Sequence, residues 1–205
     1  MTIFEVVPRW RWSGRGRARL RVPSTMTVIC RRNLLRTVGM AVAAAATIGV
    51  RPAYSATRGD SRIRLHNIHT GESVNTVYRT PEGYDEAALG DINRVLRDFR
   101  TGEAHRIDPA LLDLVHALSS KVDAKRPFDV ICGYRSPQTN AMLAAASSGV
   151  AKHSFHLKGK AIDLSLPGFD LRDLHVAARL LRGGGVGLYP KPGFIHVDTG
   201  PLRYW

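Results

Sequence analysis

The segment Ser154-Phe-His156-Leu-Lys-Gly159-Lys-Ala-Ile-Asp163 sets a histidine and an aspartate seven positions apart around a glycine, and Phe194-Ile-His196-Val-Asp198 offers a second imidazole thirty-three residues further on. The glycine lets the chain fold back. A strand over Ala161–Ser165 can then aim Asp163 at the point that His156 faces. His196 lies between the apolar residues Ile195 and Val197, the alternation of a strand with one buried face. Two imidazoles and one carboxylate form a tripod for one Zn²⁺ ion and leave the fourth position for water, as a catalytic zinc site requires. The pKa of such a water falls toward about 7, which makes it a nucleophile near neutral pH.

Elements able to hold these residues can be read along the chain. Ile63–Ile68, the turn His69-Thr-Gly-Glu72 and Ser73–Tyr78 predict a hairpin. Apolar residues three and four apart predict an amphipathic helix from Ala87 to Arg100. Asp108 as N-cap and Pro109 at the first helical position open a second helix reaching Leu118. Phe128–Cys132 is a short buried strand, and Pro137 introduces a third helix over Gln138–Ala146. A fourth helix, Leu171–Leu181, stops at Gly183-Gly-Gly185, and Val186–Leu188 and Phe194–Val197 supply closing strands. The expected fold is α+β, a small, mostly antiparallel sheet flanked by helices. His66 and His69 are expected at a strand edge and in a turn, His116 on a helix with a structural role, and Cys132 as a buried, inert thiol.

The chain has 205 residues, enough for one ordinary domain and a segment outside it. Its formal net charge is +13, but ten of the thirty basic residues fall within the first 55 positions, against one acid, Glu5. The remainder holds twenty basic and sixteen acidic residues, about +4 by the same count. The basic character therefore does not argue for a nucleic-acid partner. Arg31-Arg32-Asn-Leu-Leu-Arg36, followed by the apolar run Thr37–Val50, has the form of a signal peptide, with cleavage near Ala53-Tyr-Ser55. The run is about 14 residues, short of the ~20 that span a bilayer, so no stable membrane anchor is expected. The paired arginines resemble the twin-arginine export signal. Residues 1–25 are basic, aperiodic and glycine-rich, and Met26 would begin a conventional signal, so 1–25 are expected to be a non-native upstream extension or disordered, 26–55 the signal and 57–205 the working domain. Loss of Cys30 with the signal leaves one thiol and no disulfide.

Ser154-x-His156-x-x-Gly159-x-Ala161-x-Asp163 resembles the signature of the zinc peptidase superfamily that holds D-Ala-D-Ala dipeptidases, murein endopeptidases, the lysostaphin group and the hedgehog signalling domain. Gly133-Tyr134-Arg135-Ser136 and Ile195-His196-Val197 stand in the order that superfamily uses. His69-Thr-Gly-Glu72, Gly133–Pro137 and the ending His196–Trp205 are similar to the murein endopeptidase K group, over roughly residues 60 to 205. The resemblance implies the hedgehog and DD-peptidase type of fold, zinc on His156, Asp163 and His196, substrate contacts from Arg135 and Ser154, and hydrolysis of peptidoglycan cross-links by a monomer acting on stem peptides in the periplasm or wall. Two other outcomes stay open: a carboxypeptidase trimming stem peptides, and a zinc-containing wall-binding module without catalysis. The general base is where the chain departs from better-known members. A glutamate of the dipeptidase branch is replaced by Gly193, and a histidine of the lysostaphin branch by Phe194. Asp198 and His153 are the remaining candidates, and Asp198 can equally be an acceptor that orients a ligand histidine.

Overall fold

In the computed structural model, the structure describes residues 59–146, 151 and 153–205. The export segment 26–55, the stretch 1–25, Cys30 and the expected domain start at Thr57 lie outside the described residues.

Eight strands make one sheet: β1 Ser61–Asn67, β2 Ser73–Thr80, β3 Gly83–Tyr84, β4 Phe128–Cys132, β5 Ala161–Ser165, β6 Gly185–Tyr189, β7 Phe194–Asp198 and β8 Arg203–Tyr204. Their spatial order is β3-β2-β1-β4-β5-β7-β6-β8. Five neighbouring pairs are antiparallel, and two, β1 with β4 and β6 with β8, are parallel. The sheet is thus mostly antiparallel, as expected, but mixed and wider than the small sheet expected.

Among the described residues four helices accompany it: α1 Glu86–Val95, α2 Pro109–Lys121, α3 Pro137–Ala146 and α4 Leu171–Leu181, with one 3₁₀ turn at Phe155–Lys158. Caps explain several boundaries. Asp85, Asp108 and Asp170 each accept backbone N–H groups from the first turn of their helices. Helix α1 ends at Val95, short of the expected Arg100, because Asp98 leaves the helical path. Its carboxylate accepts the Arg100 N–H at 2.9 Å and reaches across to Ser136.

One core joins Leu89, Ile92 and Leu96 of the α1 region, Leu111, Leu114 and Leu118 of α2, and Leu174 of α4 to the sheet residues Ile162, Leu164, Ile195 and Val197. The alternate residues Asp163, His196 and Asp198 therefore face the other side of the sheet. They are buried as well. Two-sided burial of β5 and β7 gives the sheet a water-poor polar face opposite its apolar one.

Candidate metal centre and active site

Strand register fixes the site. Asp163 on β5 lies directly opposite His196 on β7, and Ala161 opposite Asp198. On the other side Asp163 is opposite Cys132 of β4. His156 comes from the 3₁₀ turn, whose start is capped by the Ser154 hydroxyl accepting the His156 N–H at 3.3 Å. Gly159 ends that turn at φ +62°, and an added Cβ there would sit 2.4 Å from the Arg106 carbonyl oxygen. Only glycine fits both demands, and the chain can then return as β5.

The three predicted ligands come together. His196 Nδ1 is 2.8 Å from Asp163 Oδ1, His156 Nε2 is 3.3 Å from the same oxygen, and the two ring nitrogens are 3.2 Å apart. The far ring nitrogens are committed elsewhere. His156 Nδ1 is 2.7 Å from the Gly133 carbonyl, which can only accept, so Nδ1 carries the proton and Nε2 presents a lone pair. His196 donates Nε2–H to Asp198 Oδ2 at 2.9 Å and presents Nδ1. Three acceptors thus converge with no donor among them, an arrangement that calls for a cation. Spacings near 3 Å suit donors around one ion with bonds of about 2.0–2.2 Å, so the donor set fits zinc.

The anionic neighbours call for positive charge at this point, carried by a proton on His156 or, in place of that proton, by a metal cation. Burial, the largest influence on His156, disfavours its charged form, yet Asp163 and Cys132 together push the imidazole well above its ordinary value. Burial works against the Asp163 anion too, but the two histidines hold it below the usual carboxylate range.

Asp198, one of the two residues expected as base, is fully buried. Besides His196 it accepts Gly200 N–H at 2.7 Å and Gly185 N–H at 3.2 Å, and Arg203 donates to it at 2.6 Å. His153, the other, is exposed and lines an open cleft of about 580 Å³. Arg135, Ser154 and the three tripod residues line the same cleft. The Arg135 guanidinium has Nη2 3.9 Å from Asp163 Oδ2, and its buried Nε has no hydrogen-bond partner.

His66, His69 and His116 are placed elsewhere: His66 pairs with Asp129 at 2.9 Å, His69 stacks on Phe99, and His116 contacts the Arg62 carbonyl. Cys132 departs from its expectation. It is only half-buried, and its sulfur lies with the donor atoms of His156 and Asp163, all within 4.8 Å of one another.

Three contributors were not among the expected site residues, although two of them, Arg203 and Trp205, lie in the family-like ending His196–Trp205. Asp98, buried, accepts both the N–H and the hydroxyl of Ser136, at 2.8 and 2.7 Å, and so fixes the loop that carries Arg135. Arg203 lies over the rings of Phe155 and Trp205. Trp205 donates its indole N–H to Tyr189 at 2.8 Å, and its ring is 5.3 Å from that of His196. Tyr189, Phe194 and Trp205 make an aromatic wall to the cleft.

Comparison with known proteins gives a consistent result. A family profile described as peptidoglycan L,D-endopeptidase MepK matches residues 55–205. The peptidoglycan L,D-endopeptidase MepK of Escherichia coli strain K12 is 42% identical over 178 residues, covering 85% of this chain and 96% of that protein. The probable peptidoglycan L,D-endopeptidase MepK of Haemophilus influenzae is 42% identical over 144 residues, 70% of this chain and 77% of that one. Among solved structures, the Serratia marcescens L-Ala D-Glu endopeptidase ChiX aligns over 37% of this chain and 62% of its own, with 23% identity and a TM-score of 0.31.

Proposed function

The chain belongs to the peptidoglycan L,D-endopeptidase MepK family, and from that premise we propose that it is a zinc-dependent murein endopeptidase hydrolysing peptide cross-links of peptidoglycan. The observation that carries this reading is the convergence of His156 Nε2, His196 Nδ1 and Asp163 Oδ1 within 2.8–3.3 Å. A single zinc ion held there would acidify a water and polarise the scissile carbonyl.

The protein's own residues do the rest. The Gly133 carbonyl and Asp198 hold the two imidazoles in the tautomers that leave their lone pairs free. Asp198 is assigned this positioning role because its oxygens already serve Gly185, Gly200, Arg203 and His196. Proton transfer from the attacking water to the leaving amine falls to His153, at the exposed rim of the cleft. Arg135, which lines the cleft, offsets the negative charge that builds on the carbonyl oxygen. Ser154, on the cleft wall, positions the peptide while capping the turn that presents His156.

The relatives' names specify an L,D-bond, so the proposed target joins an L- to a D-centre, as in links between two diaminopimelates. Peptidoglycan lies outside the cytoplasmic membrane. Action in the periplasm or wall follows, with export assigned to the Arg31-Arg32 signal. Among the described residues no helix is long and apolar enough to cross a membrane.

Mass spectrometry of cross-linked muropeptides after digestion tests the reaction type. An endopeptidase releases monomers. Shortened stems would identify a carboxypeptidase, and intact dimers with zinc-loaded protein would identify a non-catalytic wall-binding module.

A further inference from the structure

We infer that Cys132 supplies a fourth, thiolate donor to the same metal, so that the resting centre of this chain is a closed four-donor site. The inference rests on the metal centre proposed above and extends it to a residue outside the tripod.

Register carries the argument. Cys132, Asp163 and His196 are neighbours in one row across β4, β5 and β7. A regular strand would not place Cys132 there. Val130 pairs with Leu164 and points into the core, and two residues on, Cys132 would share that face. The register slips between Val130 and Cys132, so that Cys132 falls opposite Asp163 instead of Ile162. Such a bulge re-aims a side chain, and here it turns the sulfur toward the polar face. The Cys132, His156 and Asp163 donor atoms lie within 4.8 Å of one another, close enough for a small side-chain rotation to bring all three onto one ion. Arg135 Nη2 donates to Cys132 Sγ at 3.5 Å, a guanidinium set to hold an anionic sulfur.

Thiolate is a strong zinc donor, at about 2.3 Å. Two imidazoles, one carboxylate and one thiolate neutralise a dication and fill four positions. Water or substrate must then add as a fifth ligand or displace the sulfur, which separates this centre from a three-donor site open from the start.

Cobalt(II) is the probe, because a thiolate–cobalt bond gives an intense near-ultraviolet charge-transfer band that imidazole and carboxylate do not. The full chain is used in a Cys30→Ser background, which leaves Cys132 as its one thiol. The expected result is one cobalt per chain with that band, and loss of the band in Cys132→Ser while cobalt still binds. Zinc affinity of that variant should fall on the order of tenfold or more, since even residues that only support a ligand are worth about that much. Should Cys132→Ser take up no cobalt, alkylation of the parent decides. Zinc that slows iodoacetamide attack on Cys132 upholds the thiolate, and unchanged attack overturns it. Cobalt bound without the band, and lost in His156→Ala, overturns the Cys132 assignment and leaves the tripod intact. Failure of the parent to bind cobalt or zinc removes both.

Discussion

His156 and His196 each have one ring nitrogen tied down and one left with a lone pair, and the chemistry of the centre depends on that division of labour. Removing the tie should loosen the metal without removing a ligand. Asp198→Asn is expected to weaken zinc binding by about ten- to a hundredfold in a chelator competition, whereas His153→Ala should keep zinc affinity and slow muropeptide cleavage. The reverse pattern would make Asp198 the base. Asp98 acts one step further out, through the loop of Arg135. Burial raises its pKa, but hydrogen bonds from Thr139, Ser136 and the Arg100 N–H outweigh this and hold the carboxylate down to about 2. Its folded value is depressed, so its contribution to stability is full above the ordinary carboxylate value, near 4, and is lost as pH falls toward 2. Denaturant titrations should show Asp98→Asn losing less stability than wild type over that interval. That His156, Asp163 and His196 would come together was legible because Ser154-x-His156-x-x-Gly159-x-Ala161-x-Asp163 and Ile195-His196-Val197 resemble one family signature, which spacing alone would not have singled out. Asp98 was not, since in sequence it is one more polar position on an amphipathic helix, and its meaning lies in a contact with Ser136 thirty-eight residues away.

At the scale of elements, the site is a row on adjacent strands closed by one turn, so precision comes from register. Gly159 is the point where a local change would propagate: alanine would have to adopt φ +62° and meet the Arg106 carbonyl. Gly159→Ala is expected to cost about 1–3 kcal/mol in urea unfolding and to lower zinc affinity by displacing His156. An unchanged variant would show that the turn is not under that constraint. Caps and periodicity made α2, α4, β4, β5 and β7 readable, because Asp108-Pro109 and the alternation around His196 are strong local signals. The two-residue strands β3 and β8 carry no period to detect. The bulge before Cys132 is equally silent: by sequence Phe128–Cys132 is a uniform buried strand, whose thiol is expected to be inert.

At the scale of the described residues as a whole, the sheet has an apolar face packed on helices and a polar face carrying Asp163, His196 and Asp198, with Tyr189, Phe194 and Trp205 lining the same cleft as the first two. In sequence the positive charge is concentrated in the first 55 positions, and residues 56–205 carry about +4, a modest charge that would suit work beside anionic wall polymers. Replacing Arg31 and Arg32 together by lysine should keep the protein in the cytoplasm, as followed by fractionation. Export of the double variant at the wild-type level would remove the twin-arginine assignment. The central claim, that cross-link hydrolysis is performed at a metal held by His156, Asp163 and His196, meets its most direct test in reconstitution. Chelated protein is titrated with zinc while cleavage of L,D-linked muropeptide dimers is followed. Cleavage should be absent without metal, rise in step with zinc and level off at one ion per chain, with His156→Ala inactive at every zinc concentration. Full cleavage by the chelated protein, or by His156→Ala, would contradict the account.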